Sequence, residues 1–172
     1  MEKFTCNNPV LFGGANKEFS WLGNTSKHPV FIFKDNLTIK FHTAEHAFQA
    51  LRFPLNSFPF KSIVEEKNPL LAKKIANHFS DKIIIRKHSQ EDVTNMKTVI
   101  TAKLIAHNWM FLKLIKTSGR TIIEDTTHRH KADTFWGATF DGETWTGKNV
   151  LGKLWMQQRS IKIEIRNDHV GI

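Results

Sequence analysis

The chain has 172 residues, 40% of them apolar, with 14 Phe, 5 Trp and a formal net charge of +9. This length and apolar content allow one ordinary hydrophobic core and exclude an intrinsically disordered chain, so we expect a single domain over residues 1–172. The positive charge favours partners that carry phosphate, such as nucleotides, phosphorylated metabolites or nucleic acid.

The first predicted elements are a β-hairpin and a helix. Residues 30–33 and 37–41 are rich in β-branched and aromatic side chains and flank a turn-like Lys-Asp-Asn, which predicts the hairpin. Thr43 is placed to cap the helix that follows. This helix has one apolar stripe at i, i+3, i+4 and i+7, formed by Ala44, Ala47, Phe48 and Leu51.

Helices dominate the rest of the chain. Pro69 stands at an N1-like position of a helix over residues 69–78. Residues 90–116 form the longest helical pattern, and Gly119 follows it as a stop signal. The last helix is expected to open near Lys148. The predicted fold class is therefore mainly α (α+β), with a small N-terminal β-hairpin.

The cysteine content and the N-terminal sequence indicate the cellular compartment. The single cysteine, Cys6, cannot form an internal disulfide, which suits a reducing compartment. The first residues lack the charged-then-apolar pattern of a signal peptide, and no uncharged apolar run reaches the roughly 18 residues that a membrane span needs. We therefore expect a cytoplasmic protein without a membrane partner.

One short motif points to a metal. The segment His42-Thr-Ala-Glu45-His46 fits the H-x-x-E-H pattern of inverted zinc peptidases, and Glu124 is available as a third ligand. If Thr43 is the cap, however, His42 precedes the helix, and the two histidines do not share the i, i+4 geometry that brings both to one metal. A pattern that fixes three positions also arises readily by chance in a chain with nine His. We prefer a histidine packed at the helix start, and expect no cofactor.

Six parts of the chain, in order and covering nearly its whole length, together resemble the NADAR (YbiA-like) family. They are residues 19–22, 41–53, 69–76, 96–104, 122–124 with 135–137, and 147–159. Residues 147–159 read Gly-Lys-Asn-Val-Leu-Gly-Lys-Leu-Trp-Met-Gln-Gln-Arg, close to the family's Gly-Lys-Asn-x-Leu-Gly-x-x-Leu-Met-x-x-Arg. Each segment alone is a weak signal, whereas six in the family's order are specific.

The resemblance implies a YbiA-like fold and an N-glycosidase that cleaves a bond between an anomeric carbon and nitrogen. Members act on ADP-ribose attached to guanine, or on ribosylamino-pyrimidine intermediates of riboflavin synthesis. Breaking a C1′–N bond develops positive oxocarbenium character on the ribose, which a nearby carboxylate stabilises. The base needs an aromatic face and hydrogen-bond donors, and a ribose phosphate needs cations or backbone amides.

Glu45 is the predicted catalytic carboxylate. It lies in the first turn of its helix, where the helix dipole favours negative charge, and the alternative is a glutamate that only stabilises the helix. The matched positions and their neighbours predict a substrate-binding set: Phe19, Ser20, Trp21, His46, Gln49, His88, Glu124, Arg129, Trp136, Gly137 and Asn149.

Three of these assignments carry explicit alternatives. Trp136 is a candidate stacking wall, with Gly137 letting a ligand approach closely, or a core tryptophan. Glu124 is a second carboxylate that binds ribose hydroxyls or helps the leaving group, or part of a surface salt bridge. Asn149 binds the ligand or caps the final helix, and we favour the cap.

The chain departs from the family pattern at the expected pocket. Trp21 replaces an Asn, His88 replaces a Trp, and residues 126–131 form a longer, basic segment that could hold phosphate or a nucleic-acid backbone. We expect the substrate to be ADP-ribosylated guanine, in a nucleotide or in DNA. The alternatives are a riboflavin intermediate, a non-catalytic module that binds ADP-ribose or nucleic acid and, least favoured, the zinc peptidase.

Overall fold

The computed structural model describes residues 1–13 and 18–168. The chain divides into two compact units, which we call the central unit, Asn24–Asn108, and the terminal unit, Met1–Gly23 with Trp109–Ile172. Each unit is described by itself. The expectation that residues 1–172 form one domain stays a prediction.

Helices make up more of the described chain than strands. In chain order the elements are β1 Lys3–Phe4, β2 Val10–Phe12, β3 Val30–Lys34, β4 Leu37–Phe41, α1 Ala44–Ala50, α2 Phe58–Glu65, α3 Pro69–His78, α4 Gln90–Ala106, α5 Asn108–Ile115, β5 Ile122–Glu124, β6 Thr139–Phe140, β7 Trp145–Thr146 and α6 Val150–Asp168. The predicted class, mainly α (α+β) with an early hairpin, is confirmed. Over the described residues, no helix has the length and apolar character to cross a membrane.

The hairpin of the central unit forms as predicted. Strands β3 and β4 pair antiparallel from Val30↔Phe41 to Lys34↔Leu37. Asp35 and Asn36 make the turn with φ of 49° and 62°, a left-handed conformation that Asp and Asn tolerate better than other side chains. Lys34 therefore belongs to the strand and not to the turn.

Helix α1 begins directly after Thr43, as predicted. Thr43 has an extended backbone, and its Oγ1 accepts a hydrogen bond from the backbone N–H of His46, which confirms the N-cap. All seven residues of α1 are buried, because α2, α3 and α4 pack against it. The polar residues of the helix, Glu45 and Gln49 among them, are therefore inside the unit.

Helix α3 also has the predicted bounds. Pro69 occupies its first turn, and the Asn68 side chain accepts the backbone N–H of Leu70. Proline has no N–H to lose at this position, and the asparagine satisfies one of the unpaired donors of the helix start.

Two helix boundaries differ from the prediction. Residues 90–116 do not form one helix, because His107 leaves the helical conformation at φ −134° and ψ 77° between α4 and α5. The ring of His107 lies 2.8 Å, through Nε2, from the carbonyl oxygen of Pro29, a non-local contact. The last helix begins at Val150, two residues after the predicted opening near Lys148, and Asn149 before it has a φ of 49°.

The terminal unit combines small sheets with helix α6. Strands β1, β7 and β6 lie side by side as one antiparallel sheet, and β2 pairs in parallel with β5. Helix α6 packs against β5. Trp21 is buried edge-on between Trp109 and Trp155, with ring centroids 6.0 and 6.2 Å away. Trp21 and Trp155 thus belong to the core of this unit, whereas Trp109 is 41% exposed at its edge.

Candidate active site

Glu45 is a buried and oriented carboxylate. Its side chain is on the first turn of α1, and the residue is 7% exposed. Oε1 accepts a hydrogen bond of 2.8 Å from Nε2 of Gln49, one helical turn later. The backbone N–H of Glu45 donates to the carbonyl of Asn24 at 2.9 Å. Because both its backbone and its side chain are held, the carboxylate has a defined position.

Gln49 is itself held by a buried ion pair. Its Oε1 accepts from Nη1 of Arg52 at 3.2 Å, so its amide nitrogen is the part left to face Glu45. Arg52 donates through Nε and Nη2 to both carboxylate oxygens of Asp92, at 2.8 and 2.7 Å. Such two-pronged pairs fix orientation as well as charge. We call Glu45, Gln49, Arg52 and Asp92 the Glu45 network.

His46 is occupied by its own helix cap. It is fully buried, and its Nδ1 lies 2.8 Å from Oγ1 of Thr43. Burial, and then the neighbouring His42 ring at 5.6 Å, lower the pKa of His46. Within the described ranges, 1–13 and 18–168, no group of three or more His, Cys, Asp or Glu side chains could hold a metal ion. The Thr43 cap and its contact with Nδ1 agree with a histidine packed at the helix start.

Lys103 is a chemically unusual residue that sequence reasoning missed. Its side chain on α4 is fully buried, Nζ donates to Oγ of Ser26 at 2.7 Å, and burial lowers its pKa to about 7. An amine with such a pKa exchanges protons near neutral pH, which is typical of functional sites. The available signal was its spacing, since Lys103 continues the apolar stripe of Met96, Val99 and Ile100.

The second predicted carboxylate, Glu124, forms an ion pair. Its Oε1 accepts from Nη2 of Arg129 at 2.8 Å, and the two side chains are 12% and 38% exposed. The salt-bridge alternative therefore describes the geometry of Glu124. Its contact with ribose stays a prediction, as does contact between Arg129 and phosphate.

Asn149 does not cap α6 through its side chain, so the favoured prediction for it is wrong. Its Oδ1 accepts the backbone N–H of Glu124 at 3.1 Å, and its Nδ2 donates to the carbonyl of Ile122 at 2.8 Å. The side-chain amide of Asn149 thus hydrogen-bonds backbone groups along one side of β5. The contact is non-local, and the φ of 49° at Asn149 differs from the extended backbone of an N-cap.

Two glycines lie so close to the backbone of β5 that a side chain at either position would collide with it. A Cβ on Gly137 would collide with the carbonyl oxygen of Glu124, and one on Gly152 would collide with that of Ile122. Packing within the chain therefore requires Gly137, and the close approach of a ligand to it stays a prediction. Gly137, Asn149 and Gly152, gathered against Ile122–Glu124, form what we call the β5 corner.

Trp136 is mostly buried and tied to its surroundings. It is 7% exposed, its ring packs edge-on to Phe135 at 5.1 Å, and its backbone N–H donates to Asp133 at 2.9 Å. Its carbonyl accepts the N–H of Leu151 at the start of α6. These contacts agree with the core alternative, and stacking on a ligand stays a prediction.

The entry motif and His88 lie in different settings. Ser20 is exposed on a short 3₁₀ turn, and the guanidinium of Arg120 covers the Phe19 ring at 5.5 Å. Trp21 belongs to the tryptophan core described above. His88 is exposed in the central unit with a φ of 63°, and its backbone N–H donates to Asp92 at 2.8 Å.

The structure therefore gathers the predicted residues into two groups. In the central unit the Glu45 network joins Glu45 and Gln49 and receives the backbone of His88, with His46 beside them in α1. In the terminal unit Glu124, Arg129, Gly137 and Asn149 meet at or beside β5. Arg52 and Asp92 were missed because their pairing spans 40 residues of sequence.

Comparisons with known proteins found one family model and a similar solved structure. A family model described as NADAR domain matches residues 11–161. The solved NMR structure of the Escherichia coli protein YbiA matches with a TM-score of 0.72 and 22% identity, over 98% of this chain and 91% of that chain. At this identity the likeness shows the fold. No curated protein sequence matches this chain.

Proposed function

Since this chain belongs to the NADAR domain family, we propose that it is an N-glycosidase that hydrolyses the C1′–N bond of ADP-ribosylated guanine, in a nucleotide or in DNA. The family is associated with N-glycosidase activity, and the substrate is our proposal. The single observation that carries it is the buried carboxylate of Glu45, held by Gln49 and, through it, by the Arg52–Asp92 pair. A chain that buries this many charged and polar side chains to orient one carboxylate has the pre-organisation that such a reaction needs.

In the proposed reaction the bond between C1′ and the guanine amino nitrogen breaks, and its electron pair stays on the nitrogen. The ribose develops oxocarbenium character, which the negative charge of Glu45 stabilises. Water adds through its oxygen to C1′, and one of its protons ends on the amino group. Glu45 orients that water and accepts a proton.

The charge of the chain supports a phosphate-bearing substrate. The net charge is +9, and residues 126–131 include Arg129, His130 and Lys131, which are all exposed. ADP-ribosylated guanine within DNA carries more phosphate than a free metabolite and gains more from such a surface. We place the reaction in the cytoplasm, where a lone cysteine suits the reducing conditions.

A second candidate is cleavage of a ribosylamino-pyrimidine phosphate from riboflavin synthesis. One observation favours it: the Arg129 guanidinium is paired with Glu124, which leaves less positive charge for a polyanion. The bond broken and the role of Glu45 are the same in both reactions.

The test is mass spectrometry of two substrates incubated with the protein, ADP-ribosylated guanosine and a ribosylamino-pyrimidine phosphate. We expect free ADP-ribose and guanosine from the first. Cleavage of the second substrate alone would favour the riboflavin candidate. Tight binding of ADP-ribosylated guanosine without release of products would indicate a binding module and contradict the proposal.

A further inference from the structure

The terminal unit contains a cavity of about 420 Å³ that the proposed reaction does not use. Its volume is in the range of small-molecule sites, which are about 300–1,000 Å³. Leu11 and Pro9 form an apolar wall, Phe140 and Trp145 an aromatic wall, and Asp125 and Glu143 contribute carboxylates. We call it the acidic cavity.

The aromatic wall of the acidic cavity is a rigid surface. The Phe140 and Trp145 rings lie 4.9 Å apart with planes inclined by 31°. Trp145 is buried against Ile123 and Ala138, whereas Phe140 is 40% exposed. The backbone N–H of Phe140 donates to Oγ1 of Thr127 at 2.9 Å, which ties β6 to the neighbouring loop. A fixed and exposed ring suits stacking by a flat ligand.

The polar side of the cavity is acidic, in contrast to the chain as a whole. The described residues that line it include two carboxylates and one histidine, His128, but no Lys or Arg, in a protein of net charge +9. Asp125 accepts the backbone N–H of Thr127 at 2.9 Å, and the N–H of Glu143 donates to Asp141 at 3.0 Å. Asp125 and Glu143 therefore both lie in hydrogen-bonded turns, and Oδ1 of Asp125 keeps a second lone pair beside the Thr127 N–H. Such an edge repels phosphate and attracts N–H donors.

We propose that the acidic cavity binds a guanine base, stacked on Phe140 with its N1–H and amino N–H donating to the carboxylate of Asp125. Guanine presents two adjacent donors, which match the two oxygens of one carboxylate. Adenine and cytosine carry an acceptor nitrogen beside their amino group, and a carboxylate repels it. The inference rests on the proposed function in one respect, namely that the protein meets guanine-containing molecules.

The test is calorimetric titration of the full chain with guanosine, inosine and adenosine, which carry no phosphate and so do not report on the basic surface. Guanosine is expected to bind about tenfold or more tightly than adenosine, with inosine between them, as one bidentate contact gives discrimination of this order. Asp125→Asn keeps an acceptor for Thr127 and should abolish the preference. Phe140→Ala should weaken all three nucleosides about fivefold or more.

Matched controls lie on the hairpin of the central unit. Asp35→Asn and Phe33→Ala, at an exposed turn and an exposed strand position, should leave nucleoside binding unchanged. If Asp125→Asn fails to fold, Phe140→Ala, at a side chain that is 40% exposed in the cavity wall, still tests the site through its loss of nucleoside binding.

Equal binding of guanosine and adenosine, or guanosine binding that none of the cavity variants changes, would overturn the inference. Its failure is separable from that of the proposed function. Guanosine binding without release of ADP-ribose from ADP-ribosylated guanosine contradicts the enzyme and keeps the cavity. Release of ADP-ribose without guanosine binding keeps the enzyme and contradicts the cavity.

Discussion

The two units use family-motif residues in different ways. In the central unit Glu45 is held by buried side chains that bond to one another, ending in the Arg52–Asp92 pair. In the terminal unit Glu124 meets a guanidinium that is 38% exposed, while Asn149 and the glycines bond or approach the backbone of β5. The difference shows that a motif can mark an oriented, buried carboxylate in one region and tight backbone packing in another.

Removal of Asp92 is the most severe way to break the Glu45 network. In Asp92→Ala the Arg52 guanidinium stays buried without its counter-charge, and the backbone N–H of His88 loses its acceptor. We expect the free energy of unfolding to fall by about 3–5 kcal/mol, measured by urea denaturation. Asp81→Ala, at an exposed position of the same unit, is the control and should change it by less than about 0.5 kcal/mol.

Lys103 should give the central unit a distinctive pH dependence. Folded Lys103 loses its proton near pH 7, whereas an unfolded lysine keeps it until about pH 10.5. The unfolded chain then binds more protons between these values, so the free energy of unfolding rises with pH across this window, by an amount on the order of a few kcal/mol. Lys103→Met should flatten the rise in chemical denaturation curves, and Lys97→Met, on the exposed side of α4, should not. An unaltered rise in Lys103→Met would contradict the assignment.

Substitution of Asn149 tests whether the β5 corner stabilises the fold or binds the ligand. Asn149→Ala leaves the N–H of Glu124 and the carbonyl of Ile122 without their side-chain partner, so we expect a loss of about 2–3 kcal/mol in thermal or urea unfolding. Asn149→Ser, which restores one partner at most, should recover only part of it. A variant with full stability but weaker substrate binding would instead place Asn149 at the ligand.

The smallest effect is expected at the Glu124–Arg129 pair. Arg129→Ala breaks a partly exposed ion pair, and such pairs contribute less than about 1 kcal/mol. Thermal unfolding at low and high salt should show a small difference from the unmodified chain that shrinks as salt rises. A fall in the free energy of unfolding as large as that of Asp92→Ala would contradict the contrast between a buried network in the central unit and a partly exposed ion pair in the terminal unit.

Local signals in the sequence were sufficient for several elements. The Asp35-Asn36 turn, the Thr43 cap and the proline at the start of α3 each act through neighbours a few residues away, so the hairpin, α1 and α3 were predictable. The break at His107 has neither Gly nor Pro to announce it, and it coincides with a contact to Pro29.

The candidate site was predictable only in part, for a related reason. Glu45 and Gln49 lie one helical turn apart and could be placed on one face of α1 from sequence. Their support by Asp92, and the use of the Asn149 side chain on β5, depend on contacts between residues far apart in the chain. Lys103 was predictable in principle, because it continues an apolar stripe, but a lysine there is ordinarily assigned to solvent.

The central claim is that Glu45, and not Glu124, is the catalytic carboxylate. The most direct measurement is kcat for Glu45→Gln and Glu124→Gln on ADP-ribosylated guanosine, with circular dichroism melts to show that both variants fold. We predict that kcat falls by about 100-fold or more in Glu45→Gln, whose side chain can still accept from Gln49, and by less than about tenfold in Glu124→Gln. Equal losses in the two variants, or the larger loss in Glu124→Gln, would contradict the claim.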